Sequence, residues 1–331
     1  MSSGSLYPLR FEPMFQYRLW GGRKLGGWMD RPLPGEDPIG EAWVLSDRDD
    51  YSSPVADGPL KGTTITELME RSRGDVLGAQ ARGHDRFPLL LKFLDVNQML
   101  SVQVHPRDDQ TDLIPKGDTG KTEAWVVLQA DPLSRIYAGL KPGTTEADLR
   151  GLTTKSADEH LASFTPKTGQ GVLINAGTVH SLGDGVMVFE VQENSDVTFR
   201  LYDWDHVDAR TGKRRDLQVD QAMACIDVAQ GPIEPVTPIV EETALATREQ
   251  LFDTSHFQLW RRSAATPFEV GARDTARVLV CVDGEGAVEH DGRNYPLKRG
   301  GVMLLPAALG PCAFRPDGGS TLLEIAIPDR P

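Results

Sequence analysis

Residues 278–306 read VLVCVDGEGAVEHDGRNYPLKRGGVMLLP, and this one stretch predicts a fold. Short runs of Val, Leu and Met alternate with turns at Gly284 and at Gly300-Gly301, and His290-Asp-Gly-Arg293 has the composition of a hairpin turn. Apolar runs bounded by such turns are typical of β-strands. The order of strand, turn, strand, hairpin, strand, turn and strand predicts a small β-barrel of the jelly-roll type.

The same pattern of apolar runs and turns occurs earlier in the chain, where residues 169–190 read GQGVLINAGTVHSLGDGVMVFE. An apolar run leads into a turn at Asn175-Ala-Gly177, His180 follows, and a second apolar run begins after Gly183-Asp-Gly185. The 33 glycines and 23 prolines of the chain punctuate other short apolar runs in the same way. We therefore predict a mainly β protein that contains two jelly-roll barrels.

Three stretches in the N-terminal part have helical spacing of apolar residues and predict helical insertions: 63–71, 144–150 and 216–227. The first two open with threonines of the kind that cap helices. Residues 231–240 are rich in proline and predict a linker. The predicted domains are thus residues 1–230, with the helical insertions, and residues 241–331, the second barrel.

The composition excludes several classes of protein. Of the 331 residues, 39% are hydrophobic and 25% are charged, as in a folded, soluble chain. The net charge of −13 repels nucleic acids and anionic lipid, so neither is predicted as a partner, although a small anion can still bind in a basic pocket. No run approaches the roughly 18 apolar residues that span a bilayer, and the N-terminus lacks the pattern of a signal peptide.

The three cysteines, Cys225, Cys281 and Cys312, are widely spaced and include no CxxC pair. Neither a disulfide framework nor a cysteine zinc site is therefore expected. We predict that the protein works in the cytoplasm.

Candidate metal ligands lie on three predicted strands. In Leu100-Ser-Val-Gln-Val-His-Pro106, alternation places Ser101, Gln103 and His105 on one face. Glu123 opens the next strand, and His180 follows the turn at Gly177. Two imidazoles, a carboxylate and an amide oxygen can hold zinc or a similar divalent ion. The alternatives are a polar sheet face, a salt-bridged Glu123 and a His180 that caps backbone groups.

Two cations near these strands also allow two interpretations. Lys92 lies in the middle of the apolar run Leu89-Leu-Leu-Lys-Phe-Leu94, so its ammonium group either faces a pocket or reaches solvent at a sheet edge. Arg200 alternates with Asp196, so the two either pair on the surface or Arg200 receives an anion in the pocket.

Seven segments together resemble a known family, the type I mannose-6-phosphate isomerases of the cupin superfamily, and specifically their shorter bacterial branch. They occur in order along nearly the whole chain: YRLWGG at 17–22, IGEAWVLS at 39–46, LKFLD at 91–95, SVQVHP at 101–106, KTEAW at 121–125, AGTVH at 176–180 and FRLYDW at 199–204. The resemblance implies two cupin-type barrels, of which the first is catalytic and the second is free of metal. In the second barrel we identify only His290 as a possible metal ligand.

The resemblance also implies roles for individual residues. It implies one Zn²⁺ per chain, or another divalent metal, with Gln103, His105, Glu123 and His180 as ligands. It implies that the catalytic residues are Arg200, Lys121 and Asp196. We expect Lys92 and Ser101 to bind substrate from the same cavity.

The reaction that the resemblance implies is the interconversion of mannose 6-phosphate and fructose 6-phosphate through a cis-enediol. The partner is then a small sugar phosphate, and the chain acts as a monomer or homodimer. This sequence differs from the family pattern at two places. Gly120 stands where some relatives have a histidine, and residues 201–206 read LYDWDH where the longer relatives have a stretch that contains glycine and proline. Three alternatives stay open: an isomerase of another sugar, an iron-dependent cupin oxygenase and a sugar-binding protein without activity.

Overall fold

The computed structural model describes residues 6–243 and 246–328, and strands dominate it. In the N-terminal part the strands are β1 (Leu9–Arg10), β2 (Met14–Gly22), β3 (Ile39–Leu45), β4 (Leu89–Val96), β5 (Val102–Val104), β6 (Glu123–Gln129), β7 (Arg135–Leu140), β8 (Leu161–Phe164), β9 (Gly171–Ile174), β10 (His180–Gly183), β11 (Val186–Glu193) and β12 (Phe199–Tyr202). The remaining strands are β13 (Ile239–Glu242), β14 (Ala246–Asp253), β15 (Gln258–Ala264), β16 (Phe268–Val270), β17 (Arg277–Asp283), β18 (Glu285–His290), β19 (Arg293–Lys298), β20 (Val302–Leu305), β21 (Cys312–Pro316) and β22 (Ser320–Ala326). The predicted mainly β class is confirmed.

The helices are short and, apart from one turn, belong to the N-terminal part. They are α1 (Lys24–Trp28), α2 (Ile65–Leu77), α3 (Glu146–Arg150), α4 (Thr154–His160) and α5 (Val219–Cys225), with 3₁₀ turns at Ala79–Gly83 and Ala307–Leu309. No helix in the described ranges has the length and apolar character needed to span a membrane.

The strands form two barrels, each made of two sheets. The N-terminal barrel pairs a six-stranded sheet, ordered β2-β3-β4-β11-β6-β9, with a five-stranded sheet, ordered β12-β5-β10-β7-β8. The C-terminal barrel pairs a seven-stranded sheet, ordered β1-β20-β17-β22-β15-β14-β13, with a four-stranded sheet, ordered β16-β21-β18-β19. The two-barrel prediction is therefore confirmed.

Strand β4 is almost continuously apolar because both of its faces are buried. Leu89, Leu91 and Phe93 join the largest core cluster, which also contains side chains of the seven-stranded sheet. Leu94 and Val96 face the other way, into the interior of the N-terminal barrel. A strand that is buried on both faces reads as a hydrophobic run, and the interior face of such a strand also receives Lys92.

Three of the helices cover the outer face of the five-stranded sheet, whereas α1 and α2 pack into the core cluster of the six- and seven-stranded sheets. Buried residues of α3, α4 and α5 pack there against β5, β7 and β12. Helices α2 and α3 begin inside the predicted stretches and have capping boxes at Thr64 and Thr145. Helix α5 is shorter than the predicted stretch 216–227.

The N- and C-terminal parts of the chain are joined by more than the linker. Residues 231–238 contain no helix or strand, and β13 begins at Ile239. Strand β1 pairs with β20, with Leu9 opposite Leu304, so a strand that precedes the N-terminal barrel completes a sheet of the C-terminal barrel. The three cysteines are all free and buried.

The capping box of α2 gives a test of how local sequence contributes to this fold. The Thr64 side chain accepts a hydrogen bond from the Glu67 amide, and the Glu67 carboxylate accepts one from the Thr64 amide. We expect Thr64→Ala to lower the free energy of unfolding by about 1 kcal/mol. Urea unfolding measures the change, and Thr63→Ala, which removes no cap, is the control. Equal stabilities of the two variants would show that the cap does not stabilise the fold.

Candidate metal centre and active site

The two sheets of the N-terminal barrel enclose a cavity of about 380 Å³, which is of the size that small-molecule sites have. Both inner faces contribute charged side chains. The cations that line it are Arg18, Lys92, Lys121, Arg200 and Arg215, and the carboxylates are Glu41, Glu123, Glu190, Asp196 and Asp208. A cavity with such walls suits a polar, charged ligand.

Three predicted metal ligands meet at the buried end of the barrel. His105, Glu123 and His180 are each at most 1% exposed, and one ligand atom of each lies within 4.8 Å of the others. The Glu123 carboxylate lies between the imidazoles, with Oε2 3.4 Å from His105 Nε2 and Oε1 3.4 Å from His180 Nε2. Glu123 Oε1 accepts no hydrogen bond from any residue of the described ranges.

Hydrogen bonds to the backbone fix the tautomer and the orientation of both imidazole rings. His105 Nδ1 lies 2.7 Å from the Val197 carbonyl, and His180 Nδ1 lies 2.9 Å from the Thr178 carbonyl. Since a carbonyl oxygen only accepts hydrogen bonds, both Nδ1 atoms donate and both Nε2 atoms keep a lone pair. This is the arrangement that histidine ligands of metals adopt.

Electrostatics favour the charge states that a metal requires. Burial, and next the positive charge of Lys121, lower the pKa of His105 to about 3, and burial also lowers the pKa of His180. Burial alone would raise the pKa of Glu123, but Lys121 and the two imidazoles bring it well below its usual value. Two neutral imidazoles and one carboxylate therefore face each other, and they fit a divalent cation.

Gln103 completes the group that the sequence predicted. It lies directly opposite His180 in the pairing of β5 with β10, so the two side chains share the inner face. Its Nε2 is 3.2 Å from His180 Nε2, and its Oε1 accepts a hydrogen bond from Ser101 Oγ at 3.0 Å. Rotation of the terminal amide by half a turn exchanges nitrogen and oxygen, so Gln103 can also supply an oxygen ligand. Ser101 is 1% exposed and is not among the residues that line the cavity, so its hydrogen bond to Gln103 connects it to the site indirectly.

Lys121 lies beside the candidate metal centre. Its Nζ is 2.7 Å from Glu123 Oε2 and 3.3 Å from His105 Nε2. The side chain is 5% exposed and lines the cavity. The geometry thus brings Lys121 together with the three ligands.

Lys92 faces the cavity and does not reach solvent at a sheet edge. It is 3% exposed, and its Nζ lies 3.3 Å from Asp196 and 3.6 Å from Glu190. The ammonium group also lies 4.9 Å from the centre of the Trp43 ring. Burial alone would lower the pKa of Lys92, but Asp196, Glu41 and Glu190 raise it above its ordinary value.

Glu190 is a cavity residue to which the sequence analysis gave no role. It pairs in register with Lys92 on one side and Trp125 on the other, and its Oε1 accepts a hydrogen bond from Trp125 Nε1 at 2.9 Å. Burial, with the nearby charge of Glu123, raises the pKa of Glu190 to about 7. Its position as a polar residue in the apolar strand Val186–Glu193 is the signal that could have identified it.

Arg200 does not pair with Asp196 as the surface interpretation expects. Asp196 binds Lys92 instead, whereas the Arg200 guanidinium forms no ion pair within the part of the chain that the structure describes. Arg200 lies opposite Gln103 in the pairing of β12 with β5, next to the metal ligands. Burial, and next the charge of Arg215, lower the pKa of Arg200.

The C-terminal barrel contributes a histidine that the sequence analysis missed. His256 Nδ1 lies 3.1 Å from Glu193, which ends β11 of the N-terminal barrel, and Asp108 is close to both. His290 lies 3.5 Å from the exposed Asp291. Among the described residues it belongs to no group of three potential metal ligands.

The family models that match the chain are the type I phosphomannose isomerase catalytic domain, over residues 9–125, and the mannose-6-phosphate isomerase cupin domain, over residues 249–318. Mannose-6-phosphate isomerase ManA of Bacillus subtilis is 34% identical over 303 residues, which cover 92% of this chain and 94% of the relative. A mannose-6-phosphate isomerase of Streptococcus mutans is 29% identical over 94% of this chain and 96% of its own.

Solved structures agree with these matches. The crystal structure of mannose 6-phosphate isomerase from Bacillus subtilis superimposes with a TM-score of 0.88 at 28% identity, and covers 97% of this chain and 100% of its own. A mannosephosphate isomerase structure from Archaeoglobus fulgidus, described as putative, has a TM-score of 0.77 at 19% identity, over 99% of this chain and 100% of its own, and supports the fold alone. The family resemblance seen in the sequence is confirmed.

The candidate metal centre predicts which side chains hold the ion. We expect His105→Ala, Glu123→Ala and His180→Ala each to lose most of the bound metal while the barrels stay folded, because the surrounding cores do not depend on an ion. Gln103→Ala should lose less, since a neutral amide attracts a cation weakly. Metal analysis after dialysis, with thermal unfolding, measures both properties, and His290→Ala is the matched control. Full occupancy in the three variants would contradict the assignment.

Proposed function

The chain belongs to the type I mannose-6-phosphate isomerase family, and on that premise we propose that it interconverts mannose 6-phosphate and fructose 6-phosphate with one bound Zn²⁺. The observation that carries the proposal is the buried group of His105, Glu123 and His180, whose Nε2 lone pairs and carboxylate face one another at the end of a charged cavity. With Gln103 they form a nitrogen and oxygen donor set that zinc accepts.

The proposed reaction moves one proton between neighbouring carbons and another between their oxygens, and passes through a cis-enediol. A divalent ion in this site supplies Lewis acidity, which lowers the cost of negative charge on the substrate oxygens by several kcal/mol. The residues of the chain supply binding, orientation and proton transfer.

For proton transfer we propose Lys121 and add Glu190. Lys121 Nζ lies next to the ligands His105 and Glu123, where the C1 and C2 oxygens of a substrate would be held. Glu190 faces the same cavity, and a carboxyl group with a pKa near 7 can both accept and donate a proton at neutral pH. Asp196 and Lys92 then act as a pair, since Asp196 fixes the ammonium group that faces the sugar.

Arg200 is proposed to meet negative charge on the substrate. Its guanidinium lies one strand from Gln103 and has no carboxylate partner among the described residues. Ser101 contributes by orienting the Gln103 amide.

We also propose the division of the chain into a catalytic domain at 1–230, a linker at 231–240 and a metal-free cupin domain at 241–331. All ten charged residues that line the cavity precede the proposed linker.

A cytoplasmic location is supported by the three free thiols, because reducing compartments keep cysteines in this state.

A coupled assay tests the proposed function directly. We expect the metal-loaded protein to convert mannose 6-phosphate to fructose 6-phosphate, to lose activity with a chelator and to regain it with Zn²⁺. A panel of other aldose phosphates and free sugars, each with oxygen uptake recorded, tests the alternative substrates and an oxygenase. Absence of turnover with mannose 6-phosphate at one metal ion per chain would refute the proposal.

Arg200→Lys separates chemistry from packing. Lysine keeps the charge but cannot copy the planar fork of a guanidinium, so an arginine that binds developing charge or phosphate is not replaced by it. We expect normal folding and metal content, with kcat/KM for mannose 6-phosphate lowered roughly a hundredfold. An arginine with only a surface partner would be worth about 0–1 kcal/mol, so a near-normal kcat/KM would return Arg200 to a structural role.

A further inference from the structure

The segment that supplies Lys121 and Glu123 is also held on the side that faces away from the cavity. Lys121 and Glu123 line the cavity, whereas Thr122 between them lines a second pocket, as alternation in an extended segment requires. The two pockets have no described lining residue in common. The second pocket is lined by residues of both barrels, with Glu193 from the N-terminal barrel and His256 from the C-terminal barrel.

Glu193 binds both peptide groups of Thr122. Its Oε1 accepts a hydrogen bond from the Thr122 amide at 2.8 Å, and its own amide donates to the Thr122 carbonyl at 3.2 Å. The first of these peptide groups joins Thr122 to Lys121, and the second joins it to Glu123. Because each peptide group is planar, fixing both restricts the directions in which the two flanking side chains leave the backbone. One residue thus orients a candidate metal ligand and its neighbouring cation together.

The second oxygen of the Glu193 carboxylate meets the C-terminal barrel. The Glu193 side chain is 6% exposed, and its Oε2 lies 3.1 Å from His256 Nδ1. A buried carboxylate is costly without a partner, and among the described residues His256 is the one that lies within ion-pairing distance. Since a carboxylate oxygen only accepts, the contact is favourable when Nδ1 carries the proton. His256 therefore stabilises the carboxylate in the place from which it binds the Thr122 amide.

His256 lies in a turn that is anchored in the core between the barrels. The turn joins β14 to β15, and Thr254 Oγ1 accepts hydrogen bonds from the amides of His256 and Phe257 at 3.1 and 3.0 Å. Phe257 is fully buried in the largest core cluster, to which both barrels contribute. The backbone of His256 is therefore fixed relative to both barrels.

We propose that Glu193 and His256 are positioning residues through which the C-terminal barrel orients Lys121 and Glu123. Neither residue lines the cavity, so both act through the backbone of Thr122. Partners that orient metal ligands from outside the ligand set commonly change metal affinity or activity by about 10- to 100-fold when they are removed. The effect on metal affinity rests on the candidate metal centre, and the effect on kinetics rests on the proposed function.

Glu193→Ala tests the role of the carboxylate, with Glu193→Gln as the conservative variant. Alanine removes the acceptor of the Thr122 amide, whereas glutamine keeps an oxygen that can accept the same hydrogen bond. We expect Glu193→Ala to raise the Kd for Zn²⁺ about 10-fold and Glu193→Gln to raise it less than about threefold. Competition with a chromophoric chelator measures this Kd without turnover. The segment stays attached in both variants, because Ser195 Oγ donates to the Thr119 carbonyl at 2.9 Å.

His256→Ala tests the contact between the barrels, and His256→Asn keeps a donor near the position of Nδ1. The matched control is Arg299→Gln, because Arg299 Nε donates to the Trp28 carbonyl at 3.3 Å and so joins the C-terminal barrel to α1. We expect His256→Ala to lower kcat for mannose 6-phosphate roughly 5- to 10-fold with KM within about twofold, since the residues that line the cavity are unchanged. His256→Asn should recover most of this loss.

The two His256 variants also keep the test valid if Glu193→Ala fails to fold, because they leave the buried carboxylate in place. Thermal unfolding of all variants shows whether the contact only joins the barrels. A purely structural contact would lower Tm in His256→Ala and leave both kcat and the Kd for Zn²⁺ equal to those of Arg299→Gln, and this result would overturn the proposal. An equal loss in the alanine and conservative variants would also overturn it.

Failure of the proposed function is distinguishable from failure of this inference. It would appear as absent turnover with mannose 6-phosphate in the unchanged, metal-loaded protein. The comparison of Kd for Zn²⁺ between Glu193→Ala, His256→Ala and Arg299→Gln would still decide whether the two residues position the metal ligand.

Discussion

The candidate metal centre of this protein depends on two hydrogen bonds from imidazole rings to backbone carbonyls. The Nδ1 atoms of His105 and His180 donate to Val197 and Thr178, so both Nε2 lone pairs face the Glu123 carboxylate. Without these bonds each ring could adopt either tautomer, and the Nε2 lone pairs would no longer be fixed in the orientation that a metal ion needs. The carbonyls are supplied by the chain just before β10 and β12, so the fold itself orients the ligands.

The six-stranded sheet is covered on both sides, and the charges on its inner face are tolerated because they are paired. Its outer face packs on the seven-stranded sheet, and its inner face carries Lys92, Glu123 and Glu190. Each of these groups has an oppositely charged neighbour within 4 Å, which offsets the cost of burial. The C-terminal barrel thereby contributes to the site without lining it, since it excludes water from the back of the sheet.

Much of the fold and part of the site could be predicted from local sequence. Alternation alone placed Gln103 and His105 on one strand face, and threonine caps marked the starts of α2 and α3. The partners of Lys92 and the place of Arg215 could not be predicted, because they depend on which strands pair and in which register. Helix α1, a five-residue stretch with two glycines and no side-chain cap, gave no local signal at all.

The pairing of β1 with β20 affects how the chain can be assembled. A ribosome delivers Leu9 and Arg10 almost three hundred residues before their partners Leu304 and Met303. The hydrogen bonds between β1 and β20 are therefore among the last to form, whereas the other edge of β1 can bond earlier, because its partner there is Ala56. A protein truncated after the first barrel would leave this strand without its neighbour, so the two barrels form one unit for biosynthesis although each has its own interior.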